Sequence, residues 1–247
     1  MRKNDLMIIE KCIEDKNEKL DVKEEPFEKL MFFYKSALKQ LELQMNIIKD
    51  EFKLIYNYDL IDHIDTRIKD PKSIIKKMEK KKYDKTYLNL IEKINDIAGI
   101  RIVCTLKDDI FFIRDLVKQI PDIHVLKEKD YVTNPKESGY SSYHMIVEVP
   151  VKLTQKTIYV KCEIQIRTLA MDFWASFEHK VKYKTKNDVN PKMSKELVSC
   201  AKMINKFDTK MINYKYNNNM VDFYFLLWYN FFVRDIAINI IYLLYER

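Results

Sequence analysis

Between residues 26 and 56, apolar side chains recur at helical spacing. Phe27, Leu30, Met31, Tyr34, Leu38 and Leu41 fall on one face, which predicts a single long amphipathic helix. From 60 to 69 the period shortens to two. Ile64 and Ile68 alternate with His63, Asp65, Arg67 and Lys69, as in a strand with one buried face. Pro71 suits a first helical turn, and 73–82 supplies good helix formers. The β-branched run IAGIRIVC, 97–104, reads as a buried strand. Helical periodicity over 107–120 precedes a weak strand at 122–126, and the proline, glycine and serines of 134–142 mark a loop. Strands at 143–149 and 158–166 follow, then helices over 168–183 and 193–213. In the first of these helices Leu169, Phe173, Phe177 and Val181 share one face.

Five short strands interleaved with helices predict an α+β (mixed α/β) fold. The pattern divides the chain into a charged lead-in (1–24), a central domain (25–185), a helical extension (186–218) and an apolar tail (219–247). The tail is long enough to raise the question of a membrane span. Arg234 beside Asp235 at its middle argues against one, because each charge there costs about 2.5–3.5 kcal/mol in lipid.

Composition narrows the chemistry. A net charge of +7 favours an anionic partner. The four cysteines, Cys12, Cys104, Cys162 and Cys200, are widely separated and form no C-x-x-C pair, which speaks against a zinc site or disulfide framework and for reduced thiols in the cytoplasm. Two glycines, Gly99 and Gly139, are too few for a glycine-rich phosphate loop, so side chains must hold any nucleotide. None of the four histidines has H-E-x-x-H spacing or is followed by aspartate in an H-D pair, which removes the parts of His/Asp metal-assisted hydrolysis.

Three stretches carry candidate chemistry. In 160–168 the period of two puts Val160, Cys162, Ile164 and Ile166 on one face and Lys161, Glu163, Gln165 and Arg167 on the other. Arg67 and Lys69 precede a helix start with Ser73, Lys76 and Lys77, where backbone N–H groups and lysine charge suit a polyphosphate. Asp96-x-x-Gly99-x-Arg101 opens the strand at 97–104. These residues alone leave open a nucleotidyltransferase acting on RNA, or a catalytically silent protein bound to RNA or membrane.

Taken in order, Arg67-x-Lys69-x-x-x-Ser73-x-x-x-Lys77, Asp96-Ile-Ala-Gly-Ile-Arg101, Lys129-Asp-Tyr131, Gly139-Tyr140-x-Ser142-x-His144, Glu163-Ile-Gln-Ile-Arg-Thr168 and Met171-Asp-Phe-Trp174-Ala-x-x-Glu178-His179 resemble the synthetase motifs of RelA/SpoT-type (p)ppGpp synthetases. The short length resembles the small alarmone synthetases. The resemblance implies a nucleotidyltransferase-like five-stranded mixed sheet flanked by helices. It also implies transfer of pyrophosphate from ATP to the 3′-OH of GTP, GDP or GMP, with AMP released. By motif, Asp96 and Glu163 would bind Mg²⁺, with Glu163 activating the hydroxyl. Arg67 and Arg101 would stack on adenine, and Lys69, Ser73 and Lys77 would hold the ATP phosphates. Tyr140 and Gln165 would engage guanine, with Lys136 and His144 near the acceptor phosphates. Arg167, Trp174 and Glu178 would be scaffold. The resemblance further implies a homotetramer, with RNA or an alarmone as candidate effector. Ser141 stands where the family loop often has arginine, which would remove a contact to the acceptor's terminal phosphates.

Overall fold

A computed structural model describes residues 19–184 and 190–217. The apolar tail at 219–247, Cys12 and most of the charged lead-in lie outside the described residues. Helix α1 (Glu25–Tyr56) is followed by β1 (His63–Ile68), α2 (Pro71–Lys80), α3 (Tyr87–Lys93), β2 (Ala98–Cys104) and α4 (Lys107–Gln119). Strands β3 (His124–Asp130), β4 (Tyr143–Lys152) and β5 (Thr157–Thr168) precede helices α5 (Leu169–Lys184) and α6 (Pro191–Asn217). The strands form one five-stranded sheet in the order β1-β2-β5-β4-β3, parallel between β2 and β5 and antiparallel elsewhere. The expected mixed sheet flanked by helices is present.

The alternation seen in the sequence becomes two faces. Ile100 and Ile102 of β2, Met145 and Val147 of β4, and Cys162, Ile164 and Ile166 of β5 are buried against α1. α1 contributes Phe27, Leu30, Tyr34, Leu41, Met45 and Phe52, each fully buried side chain stabilising the fold by about 1.5–3 kcal/mol. Phe52 meets Phe112 of α4 edge-on at 5.5 Å between ring centroids. The opposite face carries the polar set. Local signals end the helices: Asp70 Oδ1 accepts from Ser73 N at the start of α2, and Asn57 takes a left-handed conformation (φ 49°) after α1.

Three expectations change. Helix α3 was not anticipated, although Thr86 caps it through Asn89 N at 3.2 Å and Tyr87, Leu90, Ile91 and Ile94 are buried at helical spacing. Strand β3 runs to Asp130 rather than stopping near 126, because an edge strand can pair its backbone while its side chains are charged. On α5 the face holding Leu169, Phe173 and Phe177 is exposed, with Phe173 at 69%, whereas Met171 and Trp174 are 3% exposed. Equal spacing defined a stripe but did not say which stripe packs.

Helix α6 is tied to the sheet by Asp208, whose Oδ2 accepts from Thr168 Oγ1 at 2.8 Å, while that hydroxyl caps α5 by accepting from Met171 N at 3.1 Å. Burial pushes the Asp208 carboxyl above its ordinary range. A carboxyl raised in the folded state stabilises fully below its unfolded pKa of about 3.9, and that stability is lost as pH rises through the folded value. Asp208→Asn is therefore expected to raise Tm at neutral pH by roughly 2–4 °C, a change of about 1 kcal/mol in a chain this size. The difference should vanish in acid; thermal melts across pH check it.

Candidate active site

Strand register brings the polar residues into two rows across the sheet. One row runs Asp65, Arg101, Gln165, His144 and Lys129 on β1, β2, β5, β4 and β3. The next runs Arg67, Gly99, Glu163, Ile146 and Lys127 on the same strands. In-register neighbours share a face, so Arg101 and Gln165, 64 positions apart (165 − 101), become adjacent. Lys127 and Lys129 reach this face because β3 shifts register between Val125 and Lys127. Without that bulge Leu126 and Glu128 would take their places. As it stands, Glu128 lies on the helix side, where its Oε1 accepts from Tyr143 OH at 2.8 Å and pairs with Lys118 at 2.9 Å.

Asp96 sits just before β2, between Lys69, which precedes α2, and Lys77 in the last turn of α2. Its Oδ2 accepts from Lys69 Nζ at 2.9 Å, and its Oδ1 lies 2.7 Å from Lys77 Nζ. The second contact compensates charge, yet that buried Oδ1 lacks a well-directed hydrogen bond. Burial pushes the carboxyl up, but Lys77 and Lys69 outweigh it and hold the group below the usual carboxylate range. Glu163 is compensated differently. His144 Nδ1 lies 3.0 Å from its Oε1, and Gln165 Nε2 donates to Oε2 at 2.9 Å. Burial, and the charge of Asp96, push Glu163 up; the bonds from His144 and Gln165 prevail and keep it low.

Two cavities meet at these carboxylates. The smaller, about 140 Å³, is lined by Asp65, Arg67, Lys69, Gly99, Arg101 and Gln165 together with Asp96 and Glu163. The larger, about 320 Å³, is walled by lysines 77, 81, 93, 127, 129 and 136 and by Tyr131 and His144, again with Asp96 and Glu163. Lys136 Nζ sits over the rings of Tyr131 and Tyr140, at 4.6 and 4.7 Å from their centroids. In the smaller cavity Arg101 Nη1 reaches Asp172 at 3.3 Å and Asp65 at 3.6 Å, while its Nε is buried without a partner.

Most of the expected residues thus converge: Arg67, Lys69, Lys77, Asp96, Arg101, Lys136, His144, Glu163 and Gln165 line one cavity or both. Four fall differently. Tyr140 lines neither cavity; its ring lies beneath Lys136, which does line the larger one. Ser73 lies in the first turn of α2 and lines neither cavity, and Asp70 already occupies its backbone N–H. Gln165 lines the smaller cavity, beside Arg67 and Arg101, rather than the lysine-walled one. Ser141 turns away into a third cavity of about 450 Å³ against Trp174 and Ala201, where its Oγ is buried and unpartnered. An absent arginine there is not an absent wall of the lysine cavity. Lys81, Lys93, Lys127 and Lys129 were not assigned from sequence. Lys129 stood in the Lys129-Asp-Tyr131 motif without a role, and for Lys127 the signal is the alternation KEK in 127–129, with the bulge deciding which way it faces.

Could the residues hold a divalent cation? Among the described residues no group of three or more His, Cys, Asp or Glu side chains converges as a metal site. Two carboxylates at a cavity junction, one with an oxygen lacking a directed hydrogen bond, fit Mg²⁺, which usually takes one or two carboxylates and completes its shell with phosphate and water.

Comparison with known proteins identifies the architecture. A family model described as the region found in RelA / SpoT proteins matches residues 66–188. Over 185 residues, 75% of this chain and 88% of the relative, the sequence is 43% identical to GTP pyrophosphokinase YwaC of Bacillus subtilis (strain 168). The chain belongs to the RelA/SpoT family. A second family member, GTP pyrophosphokinase YjbM of the same organism, is 32% identical over 75% of this chain and 86% of that protein. Among solved RelA/SpoT-family structures, small alarmone synthetase 2 from Bacillus subtilis superposes with a TM-score of 0.71 at 40% identity, covering 78% of this chain and all of that one. Small alarmone synthetase 1 from the same organism, bound to its product pppGpp, gives 0.73 at 31% identity, covering 79% of this chain and all of that one.

Gly99 tests the geometry. A Cβ added there would meet only Arg67 O at 3.8 Å and Glu163 O at 3.9 Å, ordinary contacts, so the backbone does not demand glycine. The space above it is the smaller cavity, which only a larger side chain would fill. Gly99→Ala is expected to keep the fold and most turnover, whereas Gly99→Leu keeps the fold but fills the cavity and lowers kcat/KM by about 10²-fold or more. Circular dichroism and steady-state rates check both.

Proposed function

We propose that this chain is a (p)ppGpp synthetase that transfers pyrophosphate from ATP to the 3′-OH of GTP, GDP or GMP and releases AMP. The observation that carries the reading is the junction of an arginine-bearing cavity and a lysine-walled cavity at Asp96 and Glu163. Two polyanionic substrates meeting at two carboxylates need positioning and charge neutralisation more than covalent catalysis. The family's named GTP pyrophosphokinases support the same reading.

In this reading ATP lies along the smaller cavity. Arg67 and Arg101 stack on adenine with planar guanidinium groups, as lysine could not, and Lys69 and Lys77 turn from Asp96 to the phosphates. Ser73 contributes through the α2 N-terminus rather than the cavity wall. The guanine nucleotide takes the larger cavity, with Tyr140 and Tyr131 offering aromatic faces and Lys127, Lys129 and Lys136 the charge for its 5′ phosphates. Gln165 keeps one N–H and one carbonyl lone pair free for a nucleotide edge. Glu163, ionised at neutral pH, accepts the proton of the 3′-hydroxyl as its oxygen bonds to the β-phosphorus of ATP. The bond from that phosphorus to the bridging oxygen breaks, and AMP departs with the electron pair. Mg²⁺ held by Asp96 and Glu163 would neutralise charge on the transferred group.

The synthetase domain is assigned to 25–185, preceded by the lead-in (1–24) and followed by the extension (186–218) and tail (219–247). Exposed Phe32, Leu43, Ile47 and Leu54 on α1 and Met203, Phe207 and Met211 on α6 support a homotetramer built through the outer helices. ATP and guanine nucleotides as substrates support a cytoplasmic site of action. None of the described helices is long and apolar enough to cross a membrane.

With ATP, Mg²⁺ and each of GMP, GDP and GTP, purified protein is expected to release AMP and a 3′-pyrophosphorylated guanine nucleotide. Release of free pyrophosphate instead would indicate nucleotidyl transfer. Glu163→Gln should lower kcat by about 10²–10⁴-fold. Asp96→Asn should do the same while shifting the Mg²⁺ dependence upward; retained turnover in either variant would sink the assignment.

A further inference from the structure

Around Glu163 the side chains close a hydrogen-bonded ring. From Glu163 Oε2 it passes to Gln165 Nε2 at 2.9 Å, and from Gln165 Oε1 to Arg167 Nη2 at 2.6 Å. Arg167 Nη2 also donates to Tyr140 OH at 2.7 Å, Tyr140 OH meets His144 Nε2 at 2.8 Å, and His144 Nδ1 returns to Glu163 Oε1 at 3.0 Å. Arg167 is the fixed point. It is 5% exposed, and its remaining nitrogens are held by Asp172 at 3.2 Å and by Ser142 Oγ at 3.3 Å. Asp172 is itself shared with Arg101 at 3.3 Å.

Arginine can only donate and the ionised Glu163 carboxylate can only accept, so these two ends together set the sense of the ring, and His144 Nδ1 must donate to Glu163. Gln165 must turn its carbonyl to Arg167, so its NH₂ faces Glu163. Tyr140 oxygen accepts from Arg167, and its single proton goes to His144 Nε2. That nitrogen is then the acceptor, and the imidazole carries its proton on Nδ1, directed at Glu163. We infer that Arg167, acting through Gln165 and Tyr140, is a positioning residue that aims the Glu163 carboxylate and, together with that carboxylate, holds His144 in its Nδ1–H tautomer. The Tyr140 hydroxyl thereby has a task separate from any stacking by its ring, and Arg167 is more than scaffold.

The inference rests on Glu163 as the group that accepts the 3′-hydroxyl proton, so its test has one arm that needs no turnover. Tyr140→Phe keeps the aromatic face and volume and removes only the hydroxyl, and with it the links to Arg167 and His144. Its kcat is expected to fall roughly 10–100-fold, the scale of a small misplacement, with KM for the guanine nucleotide within about two-fold of wild type. Arg167→Lys keeps the charge beside Asp172 but cannot bridge Gln165 and Tyr140, and should show the same split. In the free protein, imidazole ¹⁵N spectra, with His144 identified through His144→Gln, should report Nδ1–H in wild type and a gain of Nε2–H in Tyr140→Phe. A Tyr140→Phe enzyme with wild-type kcat, a loss confined to KM, or an unchanged ¹⁵N pattern would each overturn the proposal. Should wild type release no AMP, the proposed function fails, while the ¹⁵N comparison still decides the tautomer.

Discussion

Two carboxylates buried near one another cannot both stay ionised unless each has its own compensation, and the site is organised around that electrostatic demand. Asp96 answers it with full positive charges, Lys69 and Lys77, which come from the end of β1 and from α2. Glu163 answers it with His144 and Gln165 from β4 and β5, and behind them Arg167. The division matters chemically. In the proposed reaction the lysines on Asp96 exchange partners when phosphates arrive, so charge compensation and substrate binding use the same groups. Hydrogen bonds on Glu163 instead fix direction, which suits a group that must meet one hydroxyl.

The sheet makes this possible by its single parallel pair. Because β2 and β5 run together in register, Gly99 sits beside Glu163 and Arg101 beside Gln165, so an open position adjoins the carboxylate and a cation adjoins its orienting amide. A bulge on the edge strand then turns two lysines, not a leucine and a glutamate, toward the same face. The apolar face beneath is buried under α1 and keeps the rows from slipping, since a one-residue shift would exchange the core and site sets.

Much of this was legible in the sequence. The alternation around Glu163 assigned both faces of β5, and the helical spacing of Phe27 through Leu41 gave α1. What period alone could not supply was lateral order: nothing in the spacing of His144 and Gln165 says they are cross-strand partners. Nor could it tell which stripe of α5 packs, so Phe173 and Phe177 looked like core while Met171 and Trp174 are. Helix α3 was readable from Thr86 and the spacing of Tyr87, Leu90, Ile91 and Ile94, but seven residues fall below the window in which periodicity stands out. Ser141 shows the limit of position-by-position transfer, because a neighbour of Tyr140 in sequence opens onto a different cavity.

The central claim is that the carboxylate junction directs a guanine nucleotide's 3′-oxygen to the β-phosphorus of ATP. Parallel reactions with ATP labelled at the α- or the β-phosphorus test it most directly. The account predicts that β-label moves wholly into the guanine nucleotide while α-label stays in AMP. Transfer of α-label to the acceptor, with β-label leaving as free pyrophosphate, would contradict it.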